Sequence, residues 1–307
     1  MSVRHFAAAL LLAPAFASAA RYDPDFDRAS LRQAATLAHS TTVDASGLAL
    51  EPEKVPAITA GLDEGLRQAG LAAGSARSLD TAARRRSAEM ESEAKDLDQK
   101  LKDLGEPAAQ ELERKRRLSS KLRELKSRAE SVPEEERKKL QPLLAKAEAA
   151  LRSADAAAAP LEDALKSMAA RSRELESLRR DSLLPLVEIS SATANVIRRA
   201  DELPAAAAQA KALLAALDQE PRAVARTYAW EKLDLLGGLT RLLFQDADRA
   251  CNRAYDLRRL SSGFEDASER YEASRKAAAP VPAAVKPFLN QAEKALREAH
   301  DRLEPRK

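Results

Sequence analysis

The side-chain types of a hydrolytic triad occur close together around His39, where the sequence reads AHSTTVD over residues 38–44. A Ser-His-Asp triad would activate the serine hydroxyl for attack on a carbonyl carbon. Its geometry depends on distant residues that meet on a scaffold, and neighbours in sequence do not provide it. The sequence therefore predicts a helix C-terminus that runs into a polar loop at His39, and no catalytic site.

Other groups that could carry chemistry are few. The chain has three His and one Cys, and His300 has no second histidine within reach for a metal site. The acidic residues fall on charged faces opposite Lys and Arg, so no carboxylate pair stands out for glycoside hydrolysis. A glycine-rich phosphate loop, a nucleophile elbow and a zinc-binding helix signature are all lacking. We therefore predict a non-enzymatic protein with no metal and no cofactor.

Cys251 is an unpaired thiol. In an exported chain, such a residue is buried, reactive or paired between chains. It flanks a seam position of a long helix, and equivalent flanks face each other when two such helices pair antiparallel. An intermolecular Cys251 disulfide would therefore indicate antiparallel dimerisation. The alternative, which the sequence favours, is a small buried apolar residue without a partner.

The most apolar stretch after the N-terminus is YAWEKLDLLGGLTRLLF, residues 228–244, which contains the only Trp. One interpretation is a docking surface for a partner helix or for lipid, with Trp230 at its edge. The other, which we favour, is the centre of a helical core. The candidate contact residues for a partner or lipid are Tyr228, Trp230, Leu235, Leu239, Leu242 and Phe244.

The composition of the 307 residues predicts an all-α fold. Hydrophobic residues make up 45% of the chain but aromatic residues only 4%, which is too little aromatic and β-branched material for a sheet core. The net charge is only +3, from 51 Lys and Arg against 48 Asp and Glu. Basic clusters are interleaved with acids, so the charge pattern does not indicate nucleic-acid binding.

Residues 1–20 have the layout of a secretory signal peptide, because Arg4 precedes the apolar run 6–17 and small residues follow it. The alternative is an uncleaved anchor, but the run is shorter than the roughly 20 residues of a membrane span and contains Pro14. No later segment is apolar enough to span a bilayer, and no cysteine is placed for lipid modification. We expect a soluble exported protein, periplasmic or extracellular, with a bacterial-type signal.

The region 21–75 contains most of the glycines and several prolines. This pattern predicts an irregular N-terminal cap with short helices at 28–39 and 53–70 and a loop at 41–50. The cap either packs on the following helices or stays partly mobile. Nothing in the spacing decides between these two alternatives.

The region 76–220 shows heptad spacing interrupted by Pro and Gly. Residues 105–107 form either a turn or a kink, with a turn slightly favoured, and a turn is predicted at 131–136. Pro160 leaves the heptad phase unchanged, which indicates a kink in one long helix or two helices stacked end to end. Two shorter helices led by proline are predicted at 185–201 and 204–218.

A long helix is predicted over 221–279, followed by a proline turn and a C-terminal helix within 280–307. Many seam positions are Ala, which allows close approach of helices but buries little area. The sequence thus predicts an elongated antiparallel helical bundle or coiled coil, with an isolated rod as the alternative.

The functional prediction is an exported structural spacer, adaptor or chaperone-like module. It would bind a second copy or a protein partner through its heptad faces. The alternative is an amphipathic protein that makes peripheral contact with lipid or envelope surfaces. An enzyme or a small-molecule receptor is the least favoured class.

Overall fold

The computed structural model describes residues 22–219 and 223–304, and all regular structure within these ranges is helical, as the composition predicts. The predicted signal peptide lies outside the described residues. A short 3-10 turn, Pro52–Lys54, precedes the second helix. The helices are α1 (Asp25–Ser46), α2 (Val55–Glu130), α3 (Glu134–Asp181), α4 (Leu183–Gln219), α5 (Ala223–Ala278) and α6 (Val281–Leu303).

Helix α4 continues the direction of α3. Ser182, between them, has helical backbone angles, its N–H donates to Leu178 O, and Leu186 N–H donates to Ser182 O. Helix α6 continues α5 in the same way, because Pro280 is helical and Ala284 N–H donates to its carbonyl. The molecule therefore contains three long rods: α2, α3–α4 and α5–α6. The 76 residues of α2 span about 115 Å at 1.5 Å per residue.

Contacts between charged side chains fix the direction of each rod. Lys126 of α2 pairs with Glu148 of α3, while Lys115 pairs with Asp155, so α2 and α3 are antiparallel. Lys100 pairs with Glu272 of α5. Further along α2, Arg114 pairs with Glu293 of α6, so α2 and the α5–α6 rod are parallel. The α3–α4 rod is thus antiparallel to both of the others.

Two apolar cores divide the bundle along its length. At one end, which we call the four-helix end, α1 joins α2, α4 and the first part of α5, and the core includes Leu31, Leu79 and Leu233. At the other, the three-helix end, α2 and α3 pack against the last part of α5 and against α6, around Phe264 and Tyr271. Each fully buried side chain of this size contributes roughly 1.5–3 kcal/mol.

The region that was predicted to be irregular is mostly helical. Helix α1 extends to Ser46, the connecting loop is shorter than the predicted 41–50, and glycines 61, 65, 70 and 74 lie inside α2. Two of these glycines have a packing role. A Cβ on Gly65 would lie 2.4 Å from Thr42 Oγ1, and one on Gly61 would lie 2.8 Å from Ala45 Cβ. They allow α1 and α2 to approach closely, and so they do not break the helix.

Gly70 gives a first testable prediction, because a Cβ at this exposed position would meet no atom within 4 Å. Gly70→Ala should raise the free energy of unfolding by about 1 kcal/mol, the usual difference in helix propensity. Urea titration followed by circular dichroism would measure the change. Gly74→Ala, at a second open site, should give a similar gain, and a loss in both variants would contradict the helical assignment.

Prolines also interrupt the helices less than predicted. Helix α2 continues through Pro107, so the favoured turn at 105–107 is wrong, and the two predicted helices 185–201 and 204–218 are the single helix α4 with Pro204 inside. Leu203 and Ala207 are both buried on either side of Pro204, and a turn would remove them from the core. One helix through Pro160, the turn after α2, the long helix α5 and the C-terminal helix are as predicted.

One section of the three-helix end gathers the helix-weakening residues. On α2 it contains Gly105 and Pro107, between the pairing residues at 100 and 114. On α3 it contains Pro160, between Asp155, which pairs with α2, and Ser167, which contacts Ser274 of α5. On the third rod it contains the α5–α6 joint at Pro280. All three rods thus carry a proline within the same section.

Candidate interaction surface

His39 fastens α1 to α5. Its Nδ1 lies 3.3 Å from Thr240 Oγ1, and its ring stacks on Phe244 with centroids 6.2 Å apart. Ser40 Oγ donates to Leu37 O within the same helix. The helix C-terminus predicted at His39 is wrong, because α1 continues to Ser46. The arrangement explains His39 as a packing residue between two helices.

The described residues contain no group of three His, Cys, Asp or Glu side chains that could hold a metal ion. His300 lies near the end of α6, where its Nε2 is 3.3 Å from Glu304 Oε1. Such a pair one turn apart is a local contact on the helix surface.

Cys251 is buried beneath the N-terminal part of α1. Its Sγ lies 3.4 Å from Arg28 O, and Arg28 Nε donates to Cys251 O at 2.9 Å. Burial raises the pKa of the Cys251 thiol to about 11. In this arrangement the thiol cannot reach a second chain unless α1 moves away, so its environment fits the buried alternative better than the predicted intermolecular disulfide.

Exposed apolar side chains are concentrated at the four-helix end. Within the two ranges that the structure describes, every exposed large apolar residue lies between 26 and 71, between 183 and 187, or between 224 and 255. The three-helix end instead carries ion pairs between rods, such as Lys126 with Glu148. The two ends therefore differ in surface chemistry.

Helix α5 carries an outward-facing apolar stripe at heptad spacing. Val224 is 65% exposed, Tyr228 54%, Leu235 47% and Leu242 41%. We call the face that contains them the outer seam, because its positions alternate steps of four and three residues. The outer seam consists of Val224, Tyr228, Glu231, Leu235, Gly238, Leu242, Gln245 and Arg249.

A second seam of the same helix faces the core. Leu233, Leu236, Thr240 and Leu243 are all buried there. Residues 228–244 therefore serve both predicted roles, as core and as exposed surface. Of the predicted contact residues, Leu239 and Phe244 are partly buried against the core. Val224 belongs to the outer seam and was not predicted, although a further step of four from Tyr228 would have included it.

Trp230 lies on another side of α5, in a groove against α1. Its side chain is 58% exposed, and the groove has a volume of about 770 Å³. Val43 of α1 and the glycine pair Gly237 and Gly238 also line it. A Cβ on either glycine would meet no atom within 4 Å, so the glycines leave this part of α5 open.

Two opposite charges lie beside the outer seam. Asp234 and Arg241 are one heptad apart and both exposed. Neither forms an ion pair with any other residue whose placement is described, whereas Arg249 contacts Asp246 at 3.8 Å. The acidic residues Glu231 and Asp234 lie in the first half of the seam and Arg241 in the second, so the face is electrostatically asymmetric along the helix.

The fold defines the protein as an all-α helical bundle with an apolar face on one long helix. Comparison with protein-family models, curated proteins and solved structures gave no match for this chain. None of the helices described above is both long and apolar enough to cross a membrane.

Proposed function

We propose that the protein is an exported, non-enzymatic helical coiled-coil protein that acts as a spacer or adaptor. The observation that supports this function is the segregation of exposed apolar side chains at the four-helix end. Clustered apolar surface on a protein exposed to water marks interaction sites. The charged three-helix end would then keep the contact surface at a distance from whatever the other end meets.

The arrangement suits rigid spacing better than enclosure of a small ligand. Three rods support one another along their length, and the grooves between them, including the one at Trp230, lie at the surface beside exposed side chains. A chaperone-like role would use the same exposed face of α5 to hold unfolded chains. The candidate contact residues remain Tyr228, Trp230, Leu235 and Leu242.

Site-specific photo-crosslinking would test the adaptor role in intact cells. A photoreactive amino acid at Leu235 should give adducts with protein, because this position lies on the outer seam. The same amino acid at Asp163, on the three-helix end and with a side chain 82% exposed, is the matched control. Equal adduct formation from both positions, or none from Leu235, would argue against the proposal.

The exposed Trp230 also supports the second candidate, peripheral binding to a lipid surface. Under this alternative, the protein co-sediments with vesicles that contain anionic phospholipid, and Trp230→Ala removes most of the bound fraction. Leu71→Ala, at another exposed apolar position of the four-helix end, is the control. We expect no co-sedimentation if the adaptor function is correct.

A further inference from the structure

We propose that the outer seam of α5 binds the same seam of a second copy of this chain in antiparallel orientation. The result is a two-fold symmetric dimer in which the rods overlap only at their four-helix ends. This inference rests on the proposed adaptor function and names one partner of the contact surface.

The spacing of the outer seam is the first argument. Steps of four and three residues continue without a slip over residues 224–249. A helix face with this repeat packs along another helix, yet the apolar members of this face are exposed. The inner seam of the same helix already packs against α1 and α4 in the four-helix core. The outer seam therefore has the pattern of a packed face but lacks a neighbour in the single chain.

The charges indicate both the partner and the orientation. In an antiparallel pair centred between Leu235 and Gly238, Asp234 of each copy lies across from Arg241 of the other copy. The symmetry forms this ion pair twice, which makes the face complementary to itself. In a parallel pair, Glu231 would meet the same residue of the second copy within the seam, and like charges would repel.

Gly238 provides room at the centre of the same interface. A Cβ there would meet no atom of its own chain within 4 Å. In the antiparallel register, Leu235 of the second copy lies opposite this glycine and fills the space that a side chain would occupy. The missing side chain also allows the two backbones to approach each other closely.

The position of the seam determines the shape of the dimer. Its centre lies near the start of α5, so the two three-helix ends point in opposite directions. The overlapped pair would be about 200 Å long, against about 120 Å for one chain, at 1.5 Å per helical residue. Only four exposed apolar side chains per copy take part, so the interface belongs to the small, concentration-dependent class.

Sedimentation equilibrium of the exported protein, combined with charge reversal, tests this inference. Asp234→Arg and Arg241→Asp should each weaken dimerisation about tenfold, because each places like charges together twice. The double variant should return to within about threefold of the original affinity, since the swapped charges pair again only in the antiparallel register. Asp163→Arg, on the three-helix end, should change nothing.

A second measurement and variant separate the outcomes. Small-angle X-ray scattering of the dimer should give a maximum dimension near 200 Å, whereas a value near 120 Å would overturn the antiparallel register. Leu235→Gln should weaken the dimer without a change of charge, and circular dichroism would verify that each variant is folded. A chain that is monomeric at every concentration overturns the dimer but leaves the adaptor function intact if photo-crosslinks to other proteins persist at Leu235.

Discussion

Replacing Gly65 by Leu should release α1 from the four-helix end. A Cβ at this position already lies 2.4 Å from Thr42 Oγ1 and 3.4 Å from the carbonyl oxygen of Ala38. Thr42 is itself buried and donates its hydroxyl hydrogen bond to Ala38 O, so it has little freedom to move. Because the larger side chain cannot fit without moving helix α1, we expect a loss of about 3 kcal/mol, the upper range for overpacked cores.

The Cys251 thiol reports directly on this release. It lies beneath α1, and burial raises its pKa to about 11, so only a small thiolate fraction exists at pH 8 and alkylation of the folded protein should be slow. A loss of 3 kcal/mol in the opening of α1 should accelerate labelling by about 100-fold. Gly70→Leu, at an open site on the same helix, should leave the rate nearly unchanged.

Two results would contradict this account of Gly65. Unchanged labelling in Gly65→Leu would mean that the close approach of α1 and α2 does not hold α1 in place. Equal acceleration in the Gly70 variant would mean that leucine loosens α2 generally. Mass spectrometry of the alkylated protein over time measures both rates.

Replacing Arg86 by Ala should produce the other large effect. Arg86 lies at the boundary between the two cores and is only 4% exposed. Its Nε donates to Ser261 Oγ at 2.5 Å, and its Nη2 donates to Glu265 at 2.8 Å. Removal of one member of a buried charge pair costs about 3–5 kcal/mol. Glu265 retains some access to water, so we expect about 3 kcal/mol.

Arg85→Ala is the matched control, because the neighbouring side chain is 82% exposed and its pair with Glu89 lies at the surface. Such pairs contribute roughly 0–1 kcal/mol. Urea unfolding of both variants should therefore show a large loss for Arg86 and a small one for Arg85. Similar small losses in both would show that the contacts of Arg86 contribute little to stability.

The same interface explains the parallel register of α2 and α5. Arg86, Glu93 and Lys100 are spaced by heptads along α2 and contact Ser261, Ser268 and Glu272 of α5 in turn. Buried polar contacts of this kind can fix the register between helices. Interchain pairing of this type depends on which helices become neighbours, so the heptad pattern of one helix did not indicate it.

Long heptad runs predicted the fold well where one pattern dominated. Helix α5 matches its predicted limits closely, and α3 continues through Pro160 as the unchanged phase indicated. These runs place a buried residue at every third or fourth position, and burial of that stripe outweighs a single lost hydrogen bond at proline. The same reasoning would have predicted α4, since the buried residues Leu203 and Ala207 continue across Pro204.

Glycine was the main source of error. Propensity treats each glycine as a weak point, but Gly61 and Gly65 are required where α1 contacts α2, and Gly70 and Gly74 face open space. A single sequence does not distinguish the two cases, because the difference depends on a helix that lies elsewhere in the chain. The predicted irregular cap is therefore replaced by two closely packed helices.

The candidate surface was predicted in part. The apolar segment 228–244 and most of its exposed members were identified, but core and surface were treated as alternatives. Helix α5 has two seams, and the choice of the covered one depends on where α1 and α4 pack. The inner seam contains Leu233 and Leu236, whereas Leu235 and Leu242 point outward. The sequence contained both patterns and could not assign a neighbour to each.

The prolines in the middle of the three-helix end affect how the molecule responds to mechanical load. A bundle resists bending through the continuous hydrogen-bond ladders of its helices, and each proline removes one bond from its ladder. Pro107, Pro160 and the joint at Pro280 do so within one section, in all three rods. Bending stiffness is therefore lowest there, so a transverse force on the tip deflects a short distal arm while the longer part that carries α1 and the outer seam keeps its shape.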